Sequence, residues 1–173
     1  MNMRRLPWRY APAVVLVLTG SRIGAQTPAP PAEAVYGKAA ANKIYAQKLV
    51  VDLVANNSDL GGAGLHAIPP GSKEYQIVAQ LRDLIGKKSS ADDLDVIDRD
   101  AVKIYPFVIE GSPRYSALAP LRDRSGNIIG MVALSFHRRP GVDKLTVHTR
   151  LVAILAELAD KIPDRAALFK PSH

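Results

Sequence analysis

Residues 121–136 read LRDRSGNIIGMVALSF, and the two halves of this stretch follow different rules. Asp123-Arg124-Ser125-Gly126-Asn127 gathers turn chemistry, because Asp, Ser and Asn side chains bond back to nearby backbone while Gly accepts a positive φ without steric cost. Ile128 to Phe136 is apolar on both faces of an extended chain, the pattern of a central strand covered on both sides. Tyr115 to Arg122 precedes the turn and reads as a strand. The two strands are therefore expected to form an antiparallel pair at the middle of a sheet.

Working outward, Ile104 to Glu110 reads as a further strand. Ala63 to Ile68 and Tyr75 to Leu81 read as a hairpin or near-hairpin around Pro69-Pro70-Gly71-Ser72. Ser90 and Asp93 make a capping-box pair that opens a short polar helix over Ala91 to Ile97. Val35 to Asn56 carries Ala46, Leu49, Val50, Leu53 and Val54 at helical spacing, ended by Asn56-Asn57 and Gly61-Gly62. Val147, Leu151, Ile154, Leu155, Leu158 and Ile162 form a second stripe, capped by Asp143 and stopped by Pro163. The expected fold class is α+β: an antiparallel sheet of about five strands, a long N-terminal helix, a short inserted helix and a C-terminal helix. The N-terminal helix is expected on one face of the central strand. The other face meets either the inserted elements, closing over a concave pocket, or the C-terminal helix.

The chain has 173 residues, a length for one domain, with 47% hydrophobic and 23% charged residues as in a folded protein. Arg4, Arg5 and Arg9, an apolar run from Ala11 to Leu18 and small residues from Gly20 to Ala25 have the outline of a signal peptide over residues 1–25. That run is too short to cross a bilayer, which needs roughly 20 residues, so no transmembrane segment is expected after cleavage. Residues 26–34 form a Pro/Ala linker, 35–162 the domain and 163–173 a C-terminal tail, with a periplasmic or secreted location. Four of the 23 basic residues precede Gln26 and all 16 acidic ones follow it, leaving 19 against 16, a net +3. Those basic residues are scattered without an aromatic array, and nucleic-acid binding is not expected. The absence of cysteine rules out disulfides, thiolate metal sites and cysteine nucleophiles.

Pro120 and Leu121-Arg122-Asp123-Arg124-Ser125-Gly126-Asn127-Ile128-Ile129-Gly130 resemble the "PL-D-x-x-G-x-I-x-G" hairpin of extracytoplasmic PAS-like sensor domains of the Cache group. The resemblance extends to the leading helix, to Ile77-Val78-Ala79 before Ile85-Gly86-Lys87, and to the element order over residues 35–162. It implies an antiparallel sheet with a small-molecule pocket, in a family that binds amino acids, carboxylates, amines or purines and takes part in signal transduction. No second span or output domain is recognised, so signalling would need a membrane receptor or another envelope protein as partner.

For ligand binding, His66 lies on an apolar strand before a Pro-Pro turn, where it serves as a pocket donor or as a satisfied core histidine. Tyr75, Tyr105 and Tyr115 sit in or beside strands, where amphipathic rings line small-ligand pockets or cover the sheet. Arg82, Arg114 and Arg122 each have the planar fork that clamps a carboxylate, or serve as solvated surface charges, and Arg122 is the one chosen as a ligand contact. His137 and His148 read as solvated ends of elements. Asp92, Asp93, Asp95, Asp98 and Asp100 lack the Gly and Glu of a calcium loop and read as a solvated helix face. Gly62-Ala63-Gly64-Leu65-His66-Ala67 fits GxGxxA but lacks the strand-turn-helix context of a dinucleotide site. No metal site and no cofactor are expected. With no GxSxG elbow, no Ser-x-x-Lys and no recognisable carboxylate pair, the chain is read as a non-catalytic sensory module that binds a small molecule. The alternatives are an extracytoplasmic interaction or scaffolding domain without a ligand, and a haem-binding sensor with His66 as axial ligand.

Overall fold

The turn at Asp123 folds as its side chains dictate. Asp123 Oδ1 accepts the backbone N–H groups of Ser125 and Asn127, each at 2.9 Å, and its carboxylate also receives the Asn127 side-chain amide. That side-chain bond, with the backbone donors behind it, holds the Asp123 carboxyl below the usual carboxylate range against the opposing effect of burial. Gly126 takes φ 84°, open to glycine without strain.

The structure is a computed structural model that describes residues 42–172. The expected signal peptide (residues 1–25), the expected linker (26–34) and residues 35–41 of the expected first helix lie outside the described residues. The elements are α1 (Tyr45–Asn56), β1 (Leu60–Ala67), β2 (Gln76–Gln80), α2 (Ala91–Asp98), β3 (Lys103–Ile109), β4 (Ser112–Arg122), β5 (Ile128–His137), α3 (Lys144–Lys161) and a 3₁₀ turn (Arg165–Phe169). The five strands form one antiparallel sheet in the order β2-β1-β5-β4-β3, with β5 at its centre. The α+β class, with its five-stranded antiparallel sheet and its helices, is as expected.

The pleat sorts the sheet into two faces. Ala63, Leu65, Ala117, Ala119, Val132, Leu134 and Phe136 point to one, where they form a single core with Leu49, Val50 and Leu53 of α1 and Val147, Leu151, Ile154 and Leu158 of α3. The C-terminal helix thus joins the N-terminal helix on one side. The opposite face receives α2, whose fully buried Val96 packs on Leu118 and Met131. The capping box opens α2 as expected, with Ser90 Oγ accepting from Asp93 N–H and the Asp93 carboxylate accepting from Ser90 N–H.

Residues 163–173 were expected as a tail, yet the 3₁₀ turn buries Ala167 and Leu168. The chain then returns to α1, where Lys170 C=O accepts the Tyr45 N–H at 2.8 Å. This supplies a partner at a helix start whose preceding residue, Ile44, has no side-chain cap. Gln47 of α1 also turns its amide to edge strand β2, donating Nε2–H to Gln80 C=O and accepting Gln80 N–H at Oε1, both at 3.0 Å. Such cover removes free pairing groups from an edge.

β3 and β4 are joined by Glu110-Gly111, with φ 49° and 76°, so β4 begins at Ser112, earlier than the expected Tyr115. Positive φ at both central residues is the geometry of a two-residue type I′ hairpin. In a flat sheet of strands ~4.8 Å apart, the outer strands β2 and β3 would stand roughly 19 Å apart. Arg82, just past β2, nevertheless reaches Glu110 at 3.6 Å. The sheet is therefore curled, with its edges drawn together over the face opposite α1 and α3.

Candidate functional site

The curl leaves a recess of about 180 Å³ beside α2, lined from β1 by Gly61 to Gly64, from the centre by Ser116, Ala133 and Ser135, and from the two edges by Gln80, Leu81, Arg82, Phe107 and Ile109. Its floor is two rows of cross-strand neighbours. One runs Gly62, Ser135, Ser116, and the other Gln80, Gly64, Ala133. The hollow exists because the two β1 positions at the floor are glycine, and the β5 positions paired with Gly62 and Gly64 are Ser135 and Ala133. A Cβ built on Gly62 would come no nearer than 3.8 Å to any neighbour, the Ser135 Cβ. Apolar walls with a few polar groups are the usual make-up of a small-molecule site, and this volume lies below the roughly 300–1,000 Å³ of drug-sized pockets.

Two polar groups face this space differently. Gln80 has its backbone fixed by Gln47, while its side-chain Oε1 is buried without a hydrogen-bond partner among the described residues. Buried polar atoms are nearly always paired, so such an atom requires a reason. Arg82 has Glu110 as its ion-pair partner, and their side chains are 56% and 82% exposed. Pairs of that kind hold weakly.

Arg82, one of the three arginines read from the sequence as possible carboxylate clamps, lines the recess, whereas the five residues chosen as ligand contacts, His66, Tyr75, Tyr105, Tyr115 and Arg122, do not. His66 is on the same face but under α2, buried at 6% exposure, with Nδ1 2.9 Å from Ser89 Oγ and 3.5 Å from the Asp93 carboxylate. Burial lowers its pKa from 6.5, and the Asp93 charge opposes that shift. Tyr105 pairs with Ser116 on the β3 edge, outside the recess lining, and is 42% exposed. Tyr115 faces the helix-covered side, packed with the main core, and the Arg138 guanidinium lies 5.6 Å from its ring centroid. Tyr75 is half-buried before β2, where its C=O accepts the Ser89 N–H. Arg122 commits its fork to Asp100, at 2.5 and 2.6 Å, and donates to Gly126 C=O at 2.7 Å. These residues do not converge on one point.

The other clusters resolve into local pairs. Lys103 bridges Asp92 and Asp95, and Arg99 pairs with Asp95. Among the described residues no group of three or more His, Asp or Glu is placed to hold a metal ion. His137 bonds with Arg114, and burial followed by the charges of Arg114 and Arg139 lowers its pKa. A second hollow, of about 200 Å³ between β5 and α3, contains Arg150, whose guanidinium is already engaged by Asp59 and Asn57.

No protein-family model matches the chain. No curated protein matches it either. Among solved structures, it is similar to a type II free methionine-R-sulfoxide reductase from Thermoplasma acidophilum, with 14% identity, 73% of this chain and 95% of that one covered, and a TM-score of 0.42. It is also similar to a light-oxygen-voltage domain, a PAS-like domain studied with a flavin analogue, with 13% identity, 62% and 94% coverage, and a TM-score of 0.33. The reading as a non-catalytic chain is corrected here, because one of the solved structures to which the chain is similar is an enzyme. Missing motifs therefore do not make the chain a non-enzyme. Likenesses this distant assign no reaction to its residues.

Proposed function

We propose that this protein is a sensory module of the PAS-like type, of the Cache group, that takes a small molecule into the recess on the concave face of its sheet. One observation supports the reading above the others: residues from both edges of the sheet line one recess, over a floor lowered by glycine at positions 62 and 64. A fold that needed only a stable sheet gains nothing from glycine at these strand positions, since each weakens the strand and leaves a hollow. The proposal includes export, with cleavage after Ala25 and a periplasmic or secreted location, and a membrane receptor or other envelope protein as the partner that reads the bound state.

A thermal-shift screen of the full chain against amino acids, organic acids, amines and purines tests ligand binding. A ligand that favours the folded state raises Tm in step with its concentration. The variant Gly62→Leu fills the recess and is expected to abolish that rise while keeping a cooperative transition. A rise that persists in Gly62→Leu would place binding elsewhere and overturn the assignment. Export is tested separately by mass spectrometry of the protein recovered outside the cytoplasm, where a mature chain starting at Gln26 is expected.

A further inference from the structure

We infer that the recess selects a small organic anion that also carries an O–H or N–H donor, with Arg82 taking the anionic group and Gln80 Oε1 the donor. This rests on the reading of the recess as a ligand site. Gln80 is held by its backbone, through both hydrogen bonds to Gln47, so its side chain is directed to the recess irrespective of any ligand. Its buried Oε1 has no donor among the described residues. Rotation about the soft terminal torsion of the amide presents that oxygen to a guest. A ligand that donates a hydrogen bond there repairs a defect of the empty fold, whereas one without a donor leaves it in place.

Arg82 completes the selection from the same edge. Its ion pair with Glu110 is long, at 3.6 Å, and solvent-screened. A ligand carboxylate, able to accept from the planar guanidinium fork, replaces it with a stronger charge-assisted pair. Glu110 sits in the left-handed region at φ 49°, next to recess-lining Ile109, so its position is fixed by the hairpin tip. The rest of the lining, with Leu81, Phe107, Ile109 and Ala133, suits a compact apolar body.

Three matched probes separate the two contacts: 2-hydroxy-3-methylbutanoate has both groups, 3-methylbutanoate lacks the donor, and 2-hydroxy-3-methylbutanamide lacks the charge. Titrations of the full chain followed by amide chemical shifts are expected to show the hydroxy acid binding about tenfold more tightly than either of the others. In Gln80→Leu the advantage over 3-methylbutanoate disappears, and in the exposed-site variant Arg82→Gln the advantage over the amide disappears. Equal affinities for all three in the wild-type chain, with binding blocked by Gly62→Leu, would overturn this selectivity and leave the recess as a ligand site. Binding that Gly62→Leu does not block, or no binding by any probe, would overturn the selectivity together with the reading beneath it.

Discussion

Gly130, the last glycine of the hairpin motif, is expected to tolerate no side chain. It pairs with Ala67 of β1, and a Cβ built on it would lie 2.0 Å from the His66 carbonyl oxygen, 3.1 Å from its carbon and 3.4 Å from the Ala67 Cα. All three are backbone atoms, so no rotamer relieves the overlap. Gly130→Ala must push β1 from β5 by more than an ångström at the centre of the sheet. Overpacking of this kind costs typically 1–3 kcal/mol, and a rigid backbone contact belongs at the top, about 3 kcal/mol. At about 4 °C per kcal/mol for a domain of this size, Tm should fall by about 12 °C. Thermal and urea unfolding of the full chain measure it, with Gly62→Ala as the control. That control meets only an ordinary 3.8 Å contact and should leave Tm unchanged or raise it slightly, through the lost entropy of the unfolded chain. A fall of less than about 3 °C in Gly130→Ala would refute close approach as the reason for this glycine.

Three further outcomes are expected. His66 has a folded pKa lowered below 6.5 by burial, so the unfolded chain binds the proton first; its contribution to stability is full above about pH 6.5, falls as pH drops below that, and levels off below the folded value. Urea midpoints between pH 8 and pH 5 should show this decline, and His66→Gln should flatten it. Ser90→Ala removes the cap of α2 and should cost about 1 kcal/mol, with faster hydrogen exchange over residues 91–98 than elsewhere. Leu151→Ala empties a fully buried position between α3 and the sheet, and its loss should be larger, about 2–5 kcal/mol by urea unfolding.

The elements were legible where one local rule acts alone. Helix α3 showed through its stripe and the Asp143 cap, α2 through Ser90 and Asp93, and the β4–β5 hairpin through Asp123, Gly126 and Asn127. The start of β4 reads late from the sequence, at Tyr115 and not Ser112, because Glu110 carries no signal for a positive φ; only Gly111 marks the turn. That α1 and α3 share one face follows from the arrangement of the whole sheet, not from the period of either helix. Leu168 likewise entered the core through the return of the chain to α1.

The recess was harder to see. Gly62 to Ala67 fits the dinucleotide pattern GxGxxA without its strand-turn-helix context, and glycine at alternate strand positions is instead a sign of a hollow or a close approach. Gln80 reads as an ordinary edge residue until the amide of Gln47, far away in sequence, fixes its backbone. The tyrosines chosen from strand position divide between faces because Tyr105 and Tyr115 stand on different strands of opposite parity in the register, which residue type does not reveal.

The most direct measurement is the amide chemical-shift map of the full chain with a ligand found by thermal shift, recorded beside the same titration of Gly62→Leu. Shifts centred on residues 61–64, 80–82 and 133–135, lost in the variant, are the expected result. Shifts confined to the hollow between β5 and α3, or unchanged in Gly62→Leu, would contradict a ligand site on the concave face of the sheet.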